Sequence, residues 1–483
     1  MDVKRSGIVL KPDRSRVLFR PFLPTNEQRV ARIVARVMSI SEEEVAQTLT
    51  QVLVEFRGRH ARLEAFLLKR FEDAKGWLLT DKPLTLERKL LIGSYFTHEY
   101  SLESAALFNP SMVWHPDQEG VPEGARRFAM SLRATGEGHI SSITFRSGIV
   151  AAGGEISLEP VSRFVSVAEG VPLALYEKHL FQRKLYELGI MNDFATRVLS
   201  LLEDSFTLEE FKNALGIVQR QDRARQVEST MVGSAMMALA EANYEIAYAP
   251  EQQLSERVIF PNSPTERNGI EDARFVQFVE NDGRICYYAT YTAYDGAVTL
   301  PQLLETRDFL RFKVSTLNGP EVQNKGMALF PRRVQGHYAM LSRQDNENIY
   351  VMYSDNLHFW YTKQILLKPT MTWEFVQVGN CGSPLETSAG WLVLSHGVGP
   401  MRKYSLGAFL LDIEDPTRVI ARLVDPLLTP NEEEREGYVP NVVYSCGAVI
   451  HHGKLVIPYA MSDYASSFAV VELEGLLAAM QPC

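Results

Sequence analysis

The chain has 483 residues, of which 46% are hydrophobic and 23% charged, a composition typical of folded proteins with enough material for more than one domain. Its 50 basic and 59 acidic residues give a net charge of −9, and the missing basic field argues against a nucleic-acid binder, although a local basic pocket remains open. Cys286, Cys381, Cys446 and Cys483 lack the close spacing of a zinc site, and neither a signal peptide nor a membrane span is evident. We therefore expect a cytoplasmic protein that binds no metal and no membrane.

The N-terminal region reads as a series of amphipathic helices between about residues 26 and 97. "TNEQRVARIVARVM" and "SEEEVAQTLTQVLVEF" each begin with a capping Thr or Ser that is followed by acidic residues. Apolar residues at helical spacing favour packing on another domain or another subunit. We predict that residues 1–97 form a mainly helical segment, and we expect its helices to hold a homo-oligomer together.

Residues 98–483 read as short strands separated by Gly, Asp, Asn and Pro, interrupted by a helical insertion at about 193–244. Four apolar strands that end in polar residues recur at intervals of roughly fifty to sixty residues: "YYATYTAYD" (287–295), "YAMLSRQD" (338–345), "WLVLSHGVG" (391–399) and "LVIPYAMSD" (455–463). This period predicts stacked sheet units and favours a β-propeller, with a β-sandwich or two β-domains as alternatives.

Asp272 in "GIEDARF" has two interpretations. An acid just before a strand is commonly a solvated turn residue. The apolar neighbourhood would instead raise the pKa of a partly buried carboxyl and suit a proton donor, whereas the adjacent Arg274 would work against that role.

A set of basic and aromatic residues follows the repeated strands. Lys325 opens "NKGMALFP", Arg343 ends "YAMLSR" and His396 ends "WLVLSH", with Arg402 and Tyr404 just beyond. Taken singly, each is more typical of a surface charge or a satisfied histidine. Because the ends of propeller strands converge on one funnel, the set together indicates a site for phosphate or another small anion.

Seven motifs occur in an order that resembles glycoside hydrolase family 130, the mannoside phosphorylases and related hydrolases, over about residues 95–483. They are "FNPSMVWHPD", "GIEDARF", "YYATYTAYDG", "NKGMALFP", "GNCGSPLETSAGWLVLSHGVG", "YSLGAFLLDIEDPTRVIARL" and "GYVPNVVYSCGAV". The resemblance implies an all-β five-bladed β-propeller at 98–483 that carries the helical insertion, beside the N-terminal α-helical region.

The resemblance also assigns roles to individual residues. It implies that Asp272 is the lone catalytic acid, although Ala273 stands where the family has Pro. Phosphate would attack the anomeric carbon with inversion, and the proton would travel through the mannosyl 3-hydroxyl. A single carboxyl suffices because phosphate, unlike water, needs no general base.

The remaining site residues follow by motif. The resemblance implies that Lys325, Arg343, His396 and Tyr404 hold phosphate, and that Asn109, Arg133 and Asp463 bind the mannosyl unit, with Glu271 beside them. A Lys of many members is Gln377 here, so Arg402 or Lys403 is expected to supply the missing contact.

The function implied is that of an inverting phosphorylase. It cleaves β-1,2-linked mannobiose or mannooligosaccharides with inorganic phosphate as co-substrate, needs no cofactor, and gives α-mannose 1-phosphate reversibly. Three alternatives stay open at this point: a β-mannoside hydrolase of the same fold, a phosphorylase for a β-1,4-mannosyl-glucose type of substrate, and a sugar-binding propeller without catalysis.

Overall fold

A computed structural model describes residues 2–171, 174–221, 226–296 and 299–483. The chain divides into two compact units. The helical unit comprises residues 13–104 and 162–166, and the sheet unit comprises 1–12, 105–161 and 167–483. Residues 1–12 belong to the sheet unit, and not to the helical segment predicted for 1–97, because strand Val3–Leu10 pairs antiparallel with strand Ala465–Glu472.

The helical unit contains the α-helices Glu27–Ser39, Glu42–Phe56, Leu63–Ala74 and Leu86–Tyr95, a short 3-10 turn Lys75–Trp77, and the paired strands Val17–Pro21 and Thr97–Ser101. Ser41 caps the second helix as its sequence predicts. Its hydroxyl accepts from the Glu44 N–H at 3.2 Å, and the Glu44 carboxylate accepts from the Ser41 N–H at 2.9 Å. That these helices hold a homo-oligomer together stays a prediction.

The sheet unit contains five larger antiparallel sheets in the described residues, numbered here in chain order. Sheet 1 contains Ala106–Trp114, Arg126–Thr135, Ser141–Val150, Ile156–Leu158 and Arg257–Ile259. Sheet 2 contains Glu169–Gly170, Tyr244–Ala247, Ile270–Val279, Ile285–Tyr294, Thr299–Thr306 and Arg311–Thr316. Sheet 3 contains Ala328–Leu329, Tyr338–Ser342, Ile349–Ser354 and Gln364–Leu367. Sheet 4 contains Gln377–Asn380, Leu385–Thr387, Gly390–Val398, Tyr404–Leu411, Val419–Arg422 and Gln481–Pro482. Sheet 5 contains Val3–Leu10, Val443–Tyr444, Val449–His451, Lys454–Met461 and Ala465–Glu472.

Apolar side chains pack between successive sheets, so the core is a series of layers and not one central cluster. Examples are Phe145 with Phe275 between sheets 1 and 2, Phe278 with Met340 between sheets 2 and 3, Phe330 with Trp391 between sheets 3 and 4, Leu394 with Ile457 between sheets 4 and 5, and Phe108 with Tyr444 between sheets 1 and 5. Each sheet therefore buries both faces, which explains why strands such as Ala106–Trp114 and Gly390–Val398 are buried along their whole length.

The helical insertion begins earlier than the predicted residue 193. Its helices are Lys178–Glu187, Asp193–Ser200, Leu208–Gln221 and Gln226–Glu241, with a two-stranded sheet of Leu175–Glu177 and Ser205–Thr207. Residues 222–225 of the predicted insertion lie outside the described residues. A last short helix, Leu473–Ala479, follows sheet 5, a short strand lies at Ser166–Val167, and 3-10 turns lie at 137–139, 254–256, 264–266, 400–402 and 432–434. In the part of the chain that the structure describes, no helix has the length and apolarity to cross a membrane.

Trp391 tests whether packing between sheets carries the stability of the sheet unit. The residue is 0% exposed, its ring meets Phe330 edge-on at 5.2 Å, and its indole N–H donates to the Ile413 carbonyl at 3.0 Å. We expect Trp391→Ala to destabilise the protein by about 3–5 kcal/mol, measured from the midpoint of urea unfolding. Phe375→Ala, at a residue that is 63% exposed, is the control and should change stability by less than about 0.5 kcal/mol. Equal losses from both substitutions would contradict the layered core.

Candidate functional site

The candidate site draws its residues from strands of the five sheets and from the segments that adjoin them. Asn109 lies in strand Ala106–Trp114 of sheet 1 and Asp272 in strand Ile270–Val279 of sheet 2, each within a register irregularity, with φ of 50° and 54°. A residue other than glycine rarely adopts such a φ, so the chain is held there by its surroundings. These two bulges aim an amide and a carboxyl at each other across neighbouring sheets.

The Asp272 carboxylate is buried and has direct polar neighbours. Its Oδ1 accepts from the Asn109 amide at 2.6 Å and lies 3.6 Å from an Arg133 guanidinium nitrogen. The interpretation of Asp272 as a solvated turn acid is therefore wrong, because the side chain is enclosed.

The protonation of Asp272 differs from the expectation of a raised pKa. Burial does raise the pKa of the carboxyl. The charges of Arg133, Arg274 and Lys325, together with the hydrogen bond from Asn109, lower the pKa by more than burial raises it, so it falls below the usual range of an aspartate. Asp272 is thus ionised near neutral pH when no anion is bound.

Arg274 holds the backbone of the site and is itself 2% exposed. Its guanidinium donates to the carbonyls of Asp272 and Cys381, at 2.9 and 2.8 Å, and to the Tyr444 hydroxyl at 2.8 Å. Arg274 therefore binds the main chain of Asp272 and not its carboxylate, and its hydrogen bonds connect sheet 2 to sheets 4 and 5.

Glu271 bridges two cations at the edge of the site. Its Oε1 accepts from Arg133 at 2.8 Å, and its Oε2 lies 3.4 Å from the Lys325 ammonium. Arg133 also donates to the Ser141 hydroxyl at 2.9 Å. Lys325 is partly exposed and its contact with Glu271 is long, so it can turn towards a bound anion.

Arg343 and His396 form a buried pair between sheets 3 and 4. A guanidinium nitrogen of Arg343 lies 3.4 Å from His396 Nε2. Since a guanidinium can only donate, Nε2 is the acceptor and the imidazole proton lies on Nδ1. Within the described residues, neither Arg343 Nε nor His396 Nδ1 has a hydrogen-bond partner, although both atoms are buried. Two unpaired buried donors on a pair of contacting residues are a feature that an anionic ligand would satisfy.

His396 is neutral, contrary to its inclusion in a basic set. Burial lowers the pKa of the imidazole well below its ordinary value, and the charges of Arg343 and Arg274 lower it further. The ring packs against two tyrosines, with centroid distances of 6.0 Å to Tyr404 and 4.8 Å to Tyr444. His396 can thus offer one directed N–H but no charge.

Glycines make room for the Arg343–His396 pair. A β-carbon at Gly326 would collide with the Arg343 guanidinium, and one at Gly379 would collide with the His396 ring. Gly326 follows Lys325 in "NKGMALFP", so this steric conflict explains why the motif has glycine at that position. Gln377 lies two residues before Gly379 on the same strand and so shares its face, but it brings no charge there.

Asp463 is a third carboxyl at the site, just after strand Lys454–Met461 of sheet 5. Burial, and then the charge of Asp272, raise its pKa to about 6 against the pull of Arg133 and Arg402. Arg402 is exposed, has φ of 54°, and acts electrostatically on Asp463. Its predicted phosphate contact in place of Gln377, and that of Lys403, stay predictions.

Charge at the site is unbalanced. The described residues place five cations, Arg133, Arg274, Lys325, Arg343 and Arg402, around three carboxylates, those of Glu271, Asp272 and Asp463. The formal excess is two positive charges, which a dianion would balance. The arrangement can therefore bind a small doubly charged anion beside an acid.

Sequence reasoning missed the residues that hold this arrangement together. Tyr444 binds Arg274 and packs on His396, the Cys381 carbonyl receives Arg274, and Ser141 orients Arg133. The motifs "VVYSCGAV" and "GNCGSP" contain Tyr444 and Cys381, but their residue types indicate no chemistry without the contacts.

The model of glycoside hydrolase family 130, described as beta-1,4-mannooligosaccharide phosphorylase, matches residues 228–482. A 1,2-beta-oligomannan phosphorylase of Thermoanaerobacter sp. (strain X514) is 36% identical over 232 residues, which cover 46% of this chain and 75% of that protein. A beta-1,2-mannobiose phosphorylase of the same strain is 33% identical over 237 residues, 46% of this chain and 73% of that protein.

Among solved structures, a beta-1,2-mannobiose phosphorylase from Listeria innocua in complex with beta-1,2-mannobiose has a TM-score of 0.47 and 20% identity, covering 78% of this chain and 92% of that one. The family model spans more than half of the chain and includes Asp272, Lys325, Arg343 and His396. The chain belongs to glycoside hydrolase family 130.

Proposed function

We propose that this protein is an inverting glycoside phosphorylase that cleaves β-1,2-linked mannobiose and mannooligosaccharides with inorganic phosphate and releases α-mannose 1-phosphate in a reversible reaction. The observation that carries the proposal is the pair of unpaired buried donors, Arg343 Nε and His396 Nδ1, within a cluster that has two excess positive charges. The β-1,2 preference is supported by the relatives at 36% and 33% identity.

We propose further that the five sheets are the blades of a five-bladed β-propeller. Single bridges support this arrangement by linking sheet 1 to 2 (Ser141 to Gly269), 2 to 3 (Val279 to Arg332), 4 to 5 (Tyr404 to Val442) and 5 to 1 (Gly447 to Ser111). Between sheets 3 and 4 the Val378 N–H donates to the Glu347 carbonyl at 3.0 Å. A closed ring of this kind would place the ends of its inner strands around one axis.

Phosphate binding explains how a site with one acid near the bond can act without a base. Arg343 and Lys325 would neutralise the phosphate charge, and the His396 N–H and the Tyr404 hydroxyl would orient its oxygens for attack on the anomeric carbon. The bond from phosphate oxygen to carbon forms as the glycosidic bond breaks, and the leaving oxygen takes a proton.

The proton must reach Asp272 before it can leave it, since the carboxylate is ionised in the free site. A dianion beside Lys325 would cancel part of the positive field that lowers the pKa of Asp272, while burial would continue to raise it. Phosphate would thereby serve as the nucleophile and would also favour the protonated form of Asp272, which is the form that can donate a proton. Asn109, Arg133, Glu271 and Asp463 would hold the mannosyl unit.

A hydrolase of the same fold is the second candidate, but it has no use for two unpaired donors and an uncompensated charge. A phosphorylase for a β-1,4-mannosyl-glucose type of substrate would share the phosphate site, and only a substrate screen separates it from the proposal. A cytoplasmic location, and a homo-oligomer formed through the N-terminal helices, belong to the proposal as well.

Phosphate dependence is the direct test of function. We expect β-1,2-mannobiose to be consumed only when inorganic phosphate is present, with one α-mannose 1-phosphate formed per bond cleaved, as measured by phosphorus and proton NMR. β-1,4-Mannobiose and mannosyl-glucose should react more slowly. Equal consumption in phosphate-free buffer, giving free mannose, would replace the proposal with the hydrolase.

Asp272→Asn tests the proton donor. We expect the rate on β-1,2-mannobiose to fall by at least about 10²–10⁴-fold, the usual contribution of a general acid, without a change in the melting midpoint. A dinitrophenyl mannoside, whose leaving group needs no proton, should lose far less. If both substrates lost activity equally, Asp272 would have a structural role instead.

Arg343→Ala tests the phosphate site. A charge-assisted hydrogen bond contributes about 1.5–3 kcal/mol, so KM for phosphate should rise about tenfold to a hundredfold while KM for mannobiose stays within about twofold. Arg343→Lys should be intermediate because it keeps charge but loses Nε. Arg332→Ala is the matched control, since Arg332 pairs with Glu386 at 2.7 Å and belongs to no part of the site. A rise confined to KM for the mannoside would contradict the assignment.

A further inference from the structure

Two exposed aromatic side chains lie together at the edge of the site and take no part in the mechanism above. The His139 and Tyr438 rings are 5.9 Å apart between centroids, at an interplanar angle of 33°. Tyr438 is 67% exposed. A single exposed aromatic residue needs no explanation, but a pair from distant parts of the chain beside a sugar site does.

The pair adjoins the residues assigned to the mannosyl unit. His139 ends the turn between strands Arg126–Thr135 and Ser141–Val150, two residues from Ser141, which binds Arg133. On the other side, the N–H of Val439, next to Tyr438, donates to the Ser462 carbonyl at 3.1 Å, directly before Asp463. The two rings therefore flank the Arg133 and Asp463 side of the site.

The segment that carries Tyr438 is firmly anchored. Buried Glu434 accepts from Arg5 at 2.8 Å and from the Tyr459 hydroxyl at 2.6 Å, and the Ser462 hydroxyl donates to its carbonyl at 2.6 Å. At the other end the Tyr404 N–H donates to the Asn441 carbonyl at 3.0 Å. The segment thus runs from the phosphate side to the mannosyl side and holds Tyr438 in place.

The backbone at His139 is strained as well. Its φ is 59°, and Gly138 before it has φ of 67°, so two consecutive residues are left-handed. Glycine would adopt this conformation at lower cost than histidine. A ring kept in an exposed turn despite that cost suggests that the ring itself is used.

We propose that Tyr438 and His139 form the subsite for the sugar on the leaving side of the cleaved bond, with a mannopyranose ring stacked on the Tyr438 face. The inference depends on the proposed function: if α-mannose 1-phosphate is the product, the terminal mannose fills the Arg133 and Asp463 pocket and only the leaving side continues outward. The C–H face of a pyranose is apolar and matches an aromatic face.

The synthetic direction separates the two sides of the bond, because α-mannose 1-phosphate and the acceptor mannoside have separate KM values. We expect Tyr438→Ala to raise KM for the acceptor about tenfold and to leave KM for α-mannose 1-phosphate within about twofold. Tyr438→Phe keeps the ring and should behave as wild type. His139→Asn tolerates the left-handed φ and should raise only the acceptor KM, by a smaller factor.

Tyr361→Ala is the matched control, since Tyr361 is 64% exposed and also lies beside an aromatic ring, Phe359 at 6.2 Å, but outside the site. An unchanged acceptor KM in Tyr438→Ala, or equal rises in both KM values, overturns the subsite. If the wild type proved to have no phosphate-dependent activity, the proposed function would fail by itself. Calorimetric titration of β-1,2-mannobiose into wild type and Tyr438→Ala would then decide the subsite: weaker binding to the variant supports it and equal binding overturns it.

Discussion

The Asp272 carboxylate is buried in the positive field of Arg133, Arg274 and Lys325, and most other features of the site follow from this constraint. Cations in excess of carboxylates are unfavourable in a partly dry pocket unless an anion completes the set. Two donors are available for such an anion. One is the directed N–H of the neutral His396, and the other is Arg343 Nε, which has no protein partner among the described residues. The enclosed acid and the proposed anion site are therefore one electrostatic system.

The sheets are what make this system possible. Asn109, Asp272, Arg343, His396 and Asp463 come from five different sheets and are separated by up to 354 residues in the sequence. Asn109 and Asp272 are positioned by bulges, Arg343 and Asp463 lie just beyond strand ends, and His396 lies within a regular strand, while apolar layers between the sheets keep those positions fixed. Arg274 adds a polar tie across sheets 2, 4 and 5, so rigidity at the site comes from hydrogen bonds as well as from packing.

Sequence patterns predicted the local structure well where local physics decides it. The Ser41 capping box and the helical faces of the N-terminal unit were readable because caps and periodicity act over a few residues. The pairing of strand Val3–Leu10 with strand Ala465–Glu472 could not be predicted from local patterns, because it joins opposite ends of the chain. The same limit applies to electrostatics. Burial of Asp272 suggests a raised pKa, but the charges of Arg133, Arg274 and Lys325 reverse the sign of the shift, and the proximity of Asp272 in turn contributes to the raised pKa of Asp463. Tyr444 gained a role only through its contacts with Arg274 and His396.

The central claim is that Arg343 Nε and His396 Nδ1 hold an inorganic anion next to Asp272. The most direct test is a crystal structure of the protein grown with saturating inorganic phosphate. The account predicts one phosphate whose oxygens lie within about 3.2 Å of both Arg343 Nε and His396 Nδ1, with Lys325 turned towards it and away from Glu271. Phosphate bound elsewhere, with those two atoms hydrogen-bonded to water alone, would contradict it.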